Sequence, residues 1–223
     1  QPRLGESNQF LISSSGPAGL SFNEFNPLFN RNRFAFQGSA LGGSNSTVGA
    51  EGVVSGIYDR FSISTGYSVF DTDGWRENAD QEDTIGNVFA QYELSYKTSI
   101  QAEYRYRDND RGDVQLRFFE DDFLPDLRQE DETQTVRVGF RHAFSPASTL
   151  IGNFAHQNAD RDLNDLIFID IGVPPPLEEY FSITGDEEGY SAELQHLFRS
   201  EYINTVVGGG YFKIDLDRVT TDE

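Results

Sequence analysis

The residues best suited to chemistry in this 223-residue chain are carboxylates set close together in short acidic runs. Asp71, Asp73, Asp80, Glu82 and Asp83 form one such run, and Asp108, Asp110 and Asp113 form another. Hard divalent cations take several carboxylate and carbonyl oxygens at once, so Asp108, Asp110 and Asp113 are the metal candidates. The segment Asp108-Asn109-Asp110-Arg111-Gly112-Asp113 carries the opening acids of a calcium loop, although Arg111 intrudes and the distal Glu is missing. A solvated, self-repelling surface is the plainer expectation for such runs. No cofactor is expected beyond such divalent cations at the acidic loops.

Other chemistries are closed off by composition. There is no Cys, which excludes thiolate catalysis, disulfides and Cys-based zinc sites. His142, His156 and His196 are scattered and lack metalloprotease spacing. No strained Ser turn of the hydrolase type appears, so the chain is not expected to be an enzyme. The net charge of -20 argues against binding a nucleic-acid backbone. No stretch has the apolar length of a spanning helix.

A second charged set lies inside alternating segments. Glu93, Glu103, Arg105, Arg107, Arg137, Arg141 and Glu193 each occupy the polar phase of a period-two pattern. From Ser99 to Arg107, Ile100, Ala102, Tyr104 and Tyr106 take one face; Gln101, Glu103, Arg105 and Arg107 take the other. Such charges either line a permeation path or brace neighbouring strands as salt bridges. Both readings stand on sequence alone.

The elements that must position these charges are strands. Alternation recurs at 34–40, 48–54, 61–69, 87–94, 99–107, 135–144, 150–156, 190–198 and 202–215, about nine strands, each near the 9–11 residues that cross a bilayer at a tilt. Short turns (57–60, 96–98, 145–148, 199–201) alternate with long acidic connections (71–83, 108–132, 158–188). Outer-membrane barrels have this asymmetry, with short periplasmic turns and longer external loops. Aromatic residues near strand ends, such as Tyr58, Phe61, Tyr106, Phe144 and Phe198, fit interfacial girdles. The expected fold is therefore all-β, an antiparallel up-and-down transmembrane barrel that is partial within this chain. Residues 1–32 form a periplasmic entry segment and 33–223 the partial barrel. Further strands of the same barrel, or other copies, would complete it, and outer-membrane lipid and lipopolysaccharide would surround it. A soluble β-sandwich binding module is the rival, because it too has one apolar and one polar strand face.

The connection 158–188 also holds an apolar run. Ile167, Phe168 and Ile169 precede Pro174, Pro175 and Pro176, a stretch stiffened toward polyproline II. This segment is a strand extended above the membrane, a lid, a partner contact, or a hairpin packed on itself. A surface adhesin or structural barrel with binding loops would use it for contact.

Several segments resemble a known group. Asp73-Gly74-Trp75-Arg76-Glu77-Asn78, Thr98 through Arg105, Arg111-Gly112-Asp113, Gly139 through Pro146 and Asn26-Pro27-Leu28-Phe29 resemble the barrel portion of TonB-dependent-receptor-like outer-membrane proteins. The similarity is greatest to those carrying tetratricopeptide repeats ahead of the barrel, and it covers most of 23–155. The resemblance implies a location in the bacterial outer membrane and a part in passage of solute or polymer. It identifies barrel architecture better than cargo.

Overall fold

Alternation of β-branched and aromatic residues with small polar ones suits a pleated surface, and it carries most of the chain into strands. The computed structural model describes residues 12–13, 16–17, 32–116, 119, 122–169 and 177–222. Strands β1 (Ile12–Ser13) and β2 (Gly16–Pro17) form a small hairpin. The main sheet contains β3 (Arg33–Gly42), β4 (Val48–Tyr58), β5 (Phe61–Thr72), β6 (Gln81–Ser95) and β7 (Thr98–Arg111). It continues through β8 (Arg128–Ser145), β9 (Ser148–Ile169), β10 (Leu177–Arg199) and β11 (Asn204–Asp222). These nine strands pair antiparallel in chain order, so the sheet is up-and-down, and it is not closed: β3 and β11 are both edges.

Each expected strand is present, but the acidic connections are shorter than the sequence suggested. β8, β9 and β10 run for 18, 22 and 23 residues. Strand pairing extends through most of the three long acidic connections, and β5 and β6 are joined by 73–80, β7 and β8 by 112–127, and β9 and β10 by 170–176. The reason is that alternation continues there, between two polar sets on β8 and between acids and a mixed set on β9. Glu130 and Glu132 alternate with Gln129, Asp131 and Thr133; Asp160 and Asp162 alternate with Ala159, Arg161 and Leu163. At the opposite end the connections are two-residue turns at 59–60, 96–97 and 146–147 and a slightly longer link at 200–203. Register shifts at Glu93/Ser95 and Ala143/Ser145 flank two of these turns.

The two faces of the sheet are inverted relative to a soluble protein. Along β7, Gln101 and Glu103 are 5% and 7% exposed, whereas Ile100 and Tyr104 are 43% and 41% exposed. The same holds on β8, where Thr133 and Thr135 are buried and Val136 and Val138 are exposed. Buried side chains across the sheet are largely Ser, Thr, Gln and Asn, interspersed with Ile85, Ile151, Ala155 and Ala159. Among the described residues there is no helix, and the one other sheet is the β1–β2 hairpin, which contacts β10.

Candidate functional site

The register of the sheet places the charged residues of the polar phase on one face. Glu93 and Arg141 share a cross-strand row through Ser99; Glu103 and Arg137 are direct partners. Glu103 is the best-buttressed charge: Arg105 Nε donates to Oε1 at 2.5 Å, Arg137 Nη2 to Oε2 at 2.5 Å, and Asn87 Nδ2 to Oε1 at 2.9 Å. Both carboxylate oxygens are thereby satisfied in a buried position, which is the arrangement a low-dielectric layer demands of a charge. Glu193 accepts a hydrogen bond from Gln195 Nε2 at 2.5 Å. Around Glu103 the strip thus forms ion pairs within β7 and across to β8.

Toward the end of the sheet that carries the longer links, the same face becomes richer in arginine. Arg107 Nε donates to Asp83 Oδ1 at 2.8 Å, pairing a strand residue with an acid assigned from sequence to a loop. Asp131 uses its two oxygens on different partners, Arg111 Nη2 at 3.3 Å and Arg161 Nε at 3.7 Å. Arg161 and Arg218, which sequence reasoning did not single out, join Arg107 and Arg111 around a recess of about 620 Å³. The signal that could have found them was the continued period-two phase: Ala159, Arg161 and Leu163 keep step with Ala155 and Gln157.

The opposite face carries the apolar residues and, beyond them, the acids. Asp71, Glu82, Asp110, Glu130 and Asp162 form one continuous cross-strand row from β5 to β9. Asp108, Glu132, Asp160, Asp186 and Asp217 form the next, from β7 to β11. Two residues nearer the turns the chemistry changes to Tyr67 and Tyr106 in one row, then to Tyr104, Val136, His156 and Tyr190. His156 stacks on Tyr190 at 4.5 Å between ring centroids and hydrogen-bonds Glu188 at 3.1 Å. His142 and His196 lie near the turns and bond Thr98 and Ser148 at 2.9 and 2.8 Å, so the three histidines do not meet.

The metal candidates do not converge. Asp108 and Asp110 sit on the acidic rows of the apolar face, while Asp113 is buried in a cluster between the links 73–80 and 112–127. There Asp113 accepts from the backbone N–H groups of Gln115 and Leu124 at 3.2 and 3.1 Å and pairs with Arg76 at 3.4 Å. Arg76 also donates to the carbonyls of Asp113 and Gln115, and its guanidinium lies 4.9 Å from the Phe123 ring centroid. Asn78 donates to the carbonyls of Leu124 and Leu127. Its oxygens sit so close to Gly112 that any Cβ at that position would collide with them. Among the described residues no group of three or more His, Asp or Glu is placed to hold a metal ion.

No family model, curated protein or solved structure matches this chain. The site is therefore read from its own geometry. The backbone of Ile167, Phe168 and Ile169 lies in β9, paired with Glu179, Glu178 and Leu177 of β10. Pro174, Pro175 and Pro176 lie outside the described residues.

Proposed function

We propose that this chain forms part of a transmembrane β-barrel wall in the bacterial outer membrane, serving passage of solute or polymer. One observation carries the reading: large apolar side chains cover the exposed face of the sheet while Ser, Thr, Gln and Asn, with Glu103, are the polar groups buried on the other. In water this arrangement gains nothing from the hydrophobic effect; against hydrocarbon outside and water inside it is the favourable one.

The dimensions agree. From Phe144 to Val136 on β8, and from Phe198 to Tyr190 on β10, the apolar phase runs about nine residues, the span that crosses a bilayer at a tilt. Tyr67, Tyr104, Tyr106 and Tyr190 mark the border at which it gives way to acids, as an interfacial aromatic girdle does. The acid rows then lie at the level of the lipid headgroups and beyond, with lipopolysaccharide as the neighbouring surface. Backbone groups on the free edges of β3 and β11 need partners in a bilayer, supplied by further strands or other copies. The resemblance to TonB-dependent-receptor-like barrels supports passage across the membrane as the role, with cargo set by the polar face.

Refolding from urea into lipid vesicles and, separately, into buffer tests the membrane reading. The expected result is strand-rich circular dichroism and protease protection in vesicles, with aggregation in buffer. A monomer folded in buffer without lipid would replace this reading with the soluble sandwich. Planar-bilayer recording then tests passage: stepwise ion conductance is expected, and an ion-tight protein would favour a surface-binding barrel instead.

A further inference from the structure

We infer that the arginine-lined recess on the polar face is a binding site for a water-soluble organic anion that carries an apolar group. This deepens the proposed function, and it rests on that reading only in taking the polar face to be open to water.

Two features of the recess combine. Arg107, Arg111, Arg161 and Arg218 all line it, in a protein whose net charge is -20. The acids on its wall are fewer: Asp131 is already held between Arg111 and Arg161, and Glu187 and Asp162 complete the set. Among the described residues Arg218 has no hydrogen-bond or ion-pair partner, unlike Arg107, Arg111 and Arg161. Guanidinium forks match carboxylate and phosphate oxygens two at a time, so this arrangement selects an anion.

The second feature is aliphatic. Leu163 and Ile183 are direct cross-strand partners and Leu216 lies nearby on the next strand; all three line the recess on a face otherwise dominated by polar residues. Three aliphatic side chains beside four arginines fit a ligand with one charged end and one apolar end, and give inorganic phosphate nothing for half the site.

Gly185 keeps the recess open. It sits between Arg161 and Arg218 in one cross-strand row and between Ile183 and Glu187 along β10. A Cβ there would come no closer than 3.9 Å to the carbonyl oxygens of Arg161 and Asp217, so the backbone has room for a side chain that the position lacks. The absence of one leaves the space between Arg161 and Arg218 unfilled, in a recess of about 620 Å³, enough for a small organic molecule.

Calorimetric titration of the full chain with phenyl phosphate, in whichever medium folds it, tests the site. The choice of medium decides the membrane reading, and the titration decides the site. Phenyl phosphate is expected to bind, with inorganic phosphate weaker and benzylammonium inert. Arg161→Gln and Arg218→Gln should each weaken binding about tenfold. Gly185→Phe, which fills the recess while keeping every charge, should abolish it. Lys97→Gln, at the turn end of the sheet, should leave it unchanged. Circular dichroism of each variant checks the fold, and Gly185→Phe and Arg218→Gln act through different physics, so both misfolding for one cause is not expected. Equal binding of benzylammonium, unchanged affinity in the arginine variants, or an equal loss in Lys97→Gln would each overturn the proposal. Phosphate binding as tightly as phenyl phosphate would overturn its apolar half.

Discussion

Glu103 and Arg137 face each other directly across β7 and β8, and Arg137 Nη2 reaches Glu103 Oε2 at 2.5 Å inside a buried polar layer. The pair sits where a core of apolar side chains would be in a soluble sheet, so its strength depends on keeping both charges. Glu103→Gln preserves the shape but leaves Arg105 and Arg137 beside a neutral amide. Breaking one side of a buried pair costs about 3 kcal/mol, whereas removing both sides costs less. Urea unfolding of the refolded protein should therefore place Glu103→Gln about 3 kcal/mol below wild type, with the double variant Glu103→Gln/Arg137→Met recovering part of that loss. Additive losses in the double variant would show that the two side chains do not act together.

Asp113 should control the order of one end of the molecule without touching the sheet. Its carboxylate holds the N–H groups of Gln115 and Leu124 together with Arg76, tying the 112–127 link to the 73–80 link. Asp113→Ala removes all three contacts at once, a local loss of about 2 kcal/mol. Limited trypsin digestion should then cut at Arg76 at least several-fold faster, while strand content and the urea midpoint of the sheet stay as in wild type. A parallel collapse of the whole sheet would mean that the cluster is part of the main cooperative unit.

Val138 lies within the apolar belt and Asn158 in the row next to the acids, both on the exposed face of neighbouring strands at different heights. In a bilayer an arginine near the midplane costs about 2–4 kcal/mol and one at the interface about 0–1. Val138→Arg should therefore lose most of its folding into vesicles, and Asn158→Arg should fold as wild type does. Equal behaviour of the two would remove the depth dependence that a membrane imposes and leave an apolar face covered by protein.

Strand order, the two faces and the turn end were legible from alternation, because apolar and polar residues differ most in hydropathy where a strand crosses from Ile100 to Tyr106 or from Val136 to Phe144. The upper halves of β8, β9 and β10 were not. On β8 Glu130 alternates with Asp131, so both phases are polar and hydropathy shows no period; on β9 Arg161 interrupts the weak apolar phase of Ala159 and Leu163. The long acidic connections were consequently read as loops. The charged strip containing Glu103, Arg105 and Arg137 followed from phase alone, but Asp83 as the partner of Arg107 depended on β6 beginning at Gln81. The cluster of Arg76 with Asp113 joins residues 37 apart through backbone carbonyls, a contact that no spacing rule reports.

Asp160 is the place where acid stacking on the exposed face should be measurable. It lies four residues beyond His156, above the apolar belt, with Asp186 and Glu132 directly across on either side. Partial burial, then the charges of Asp186, Glu132 and Asp162, push its carboxyl above the usual aspartate range. The folded state therefore holds this proton more tightly than the unfolded chain, so stability falls as pH rises through that range and returns as pH drops. Asp160→Asn removes the repulsion and should stabilise the protein at neutral pH by about 0.5 kcal/mol, the scale of one like-charge cross-strand contact. The advantage should shrink as the pH is lowered and Asp160 itself becomes protonated in wild type. Urea midpoints of both proteins at neutral and acidic pH supply the comparison. A variant that is less stable than wild type at neutral pH, or a gain that does not change with pH, would show that the row of carboxylates is neutralised by other means.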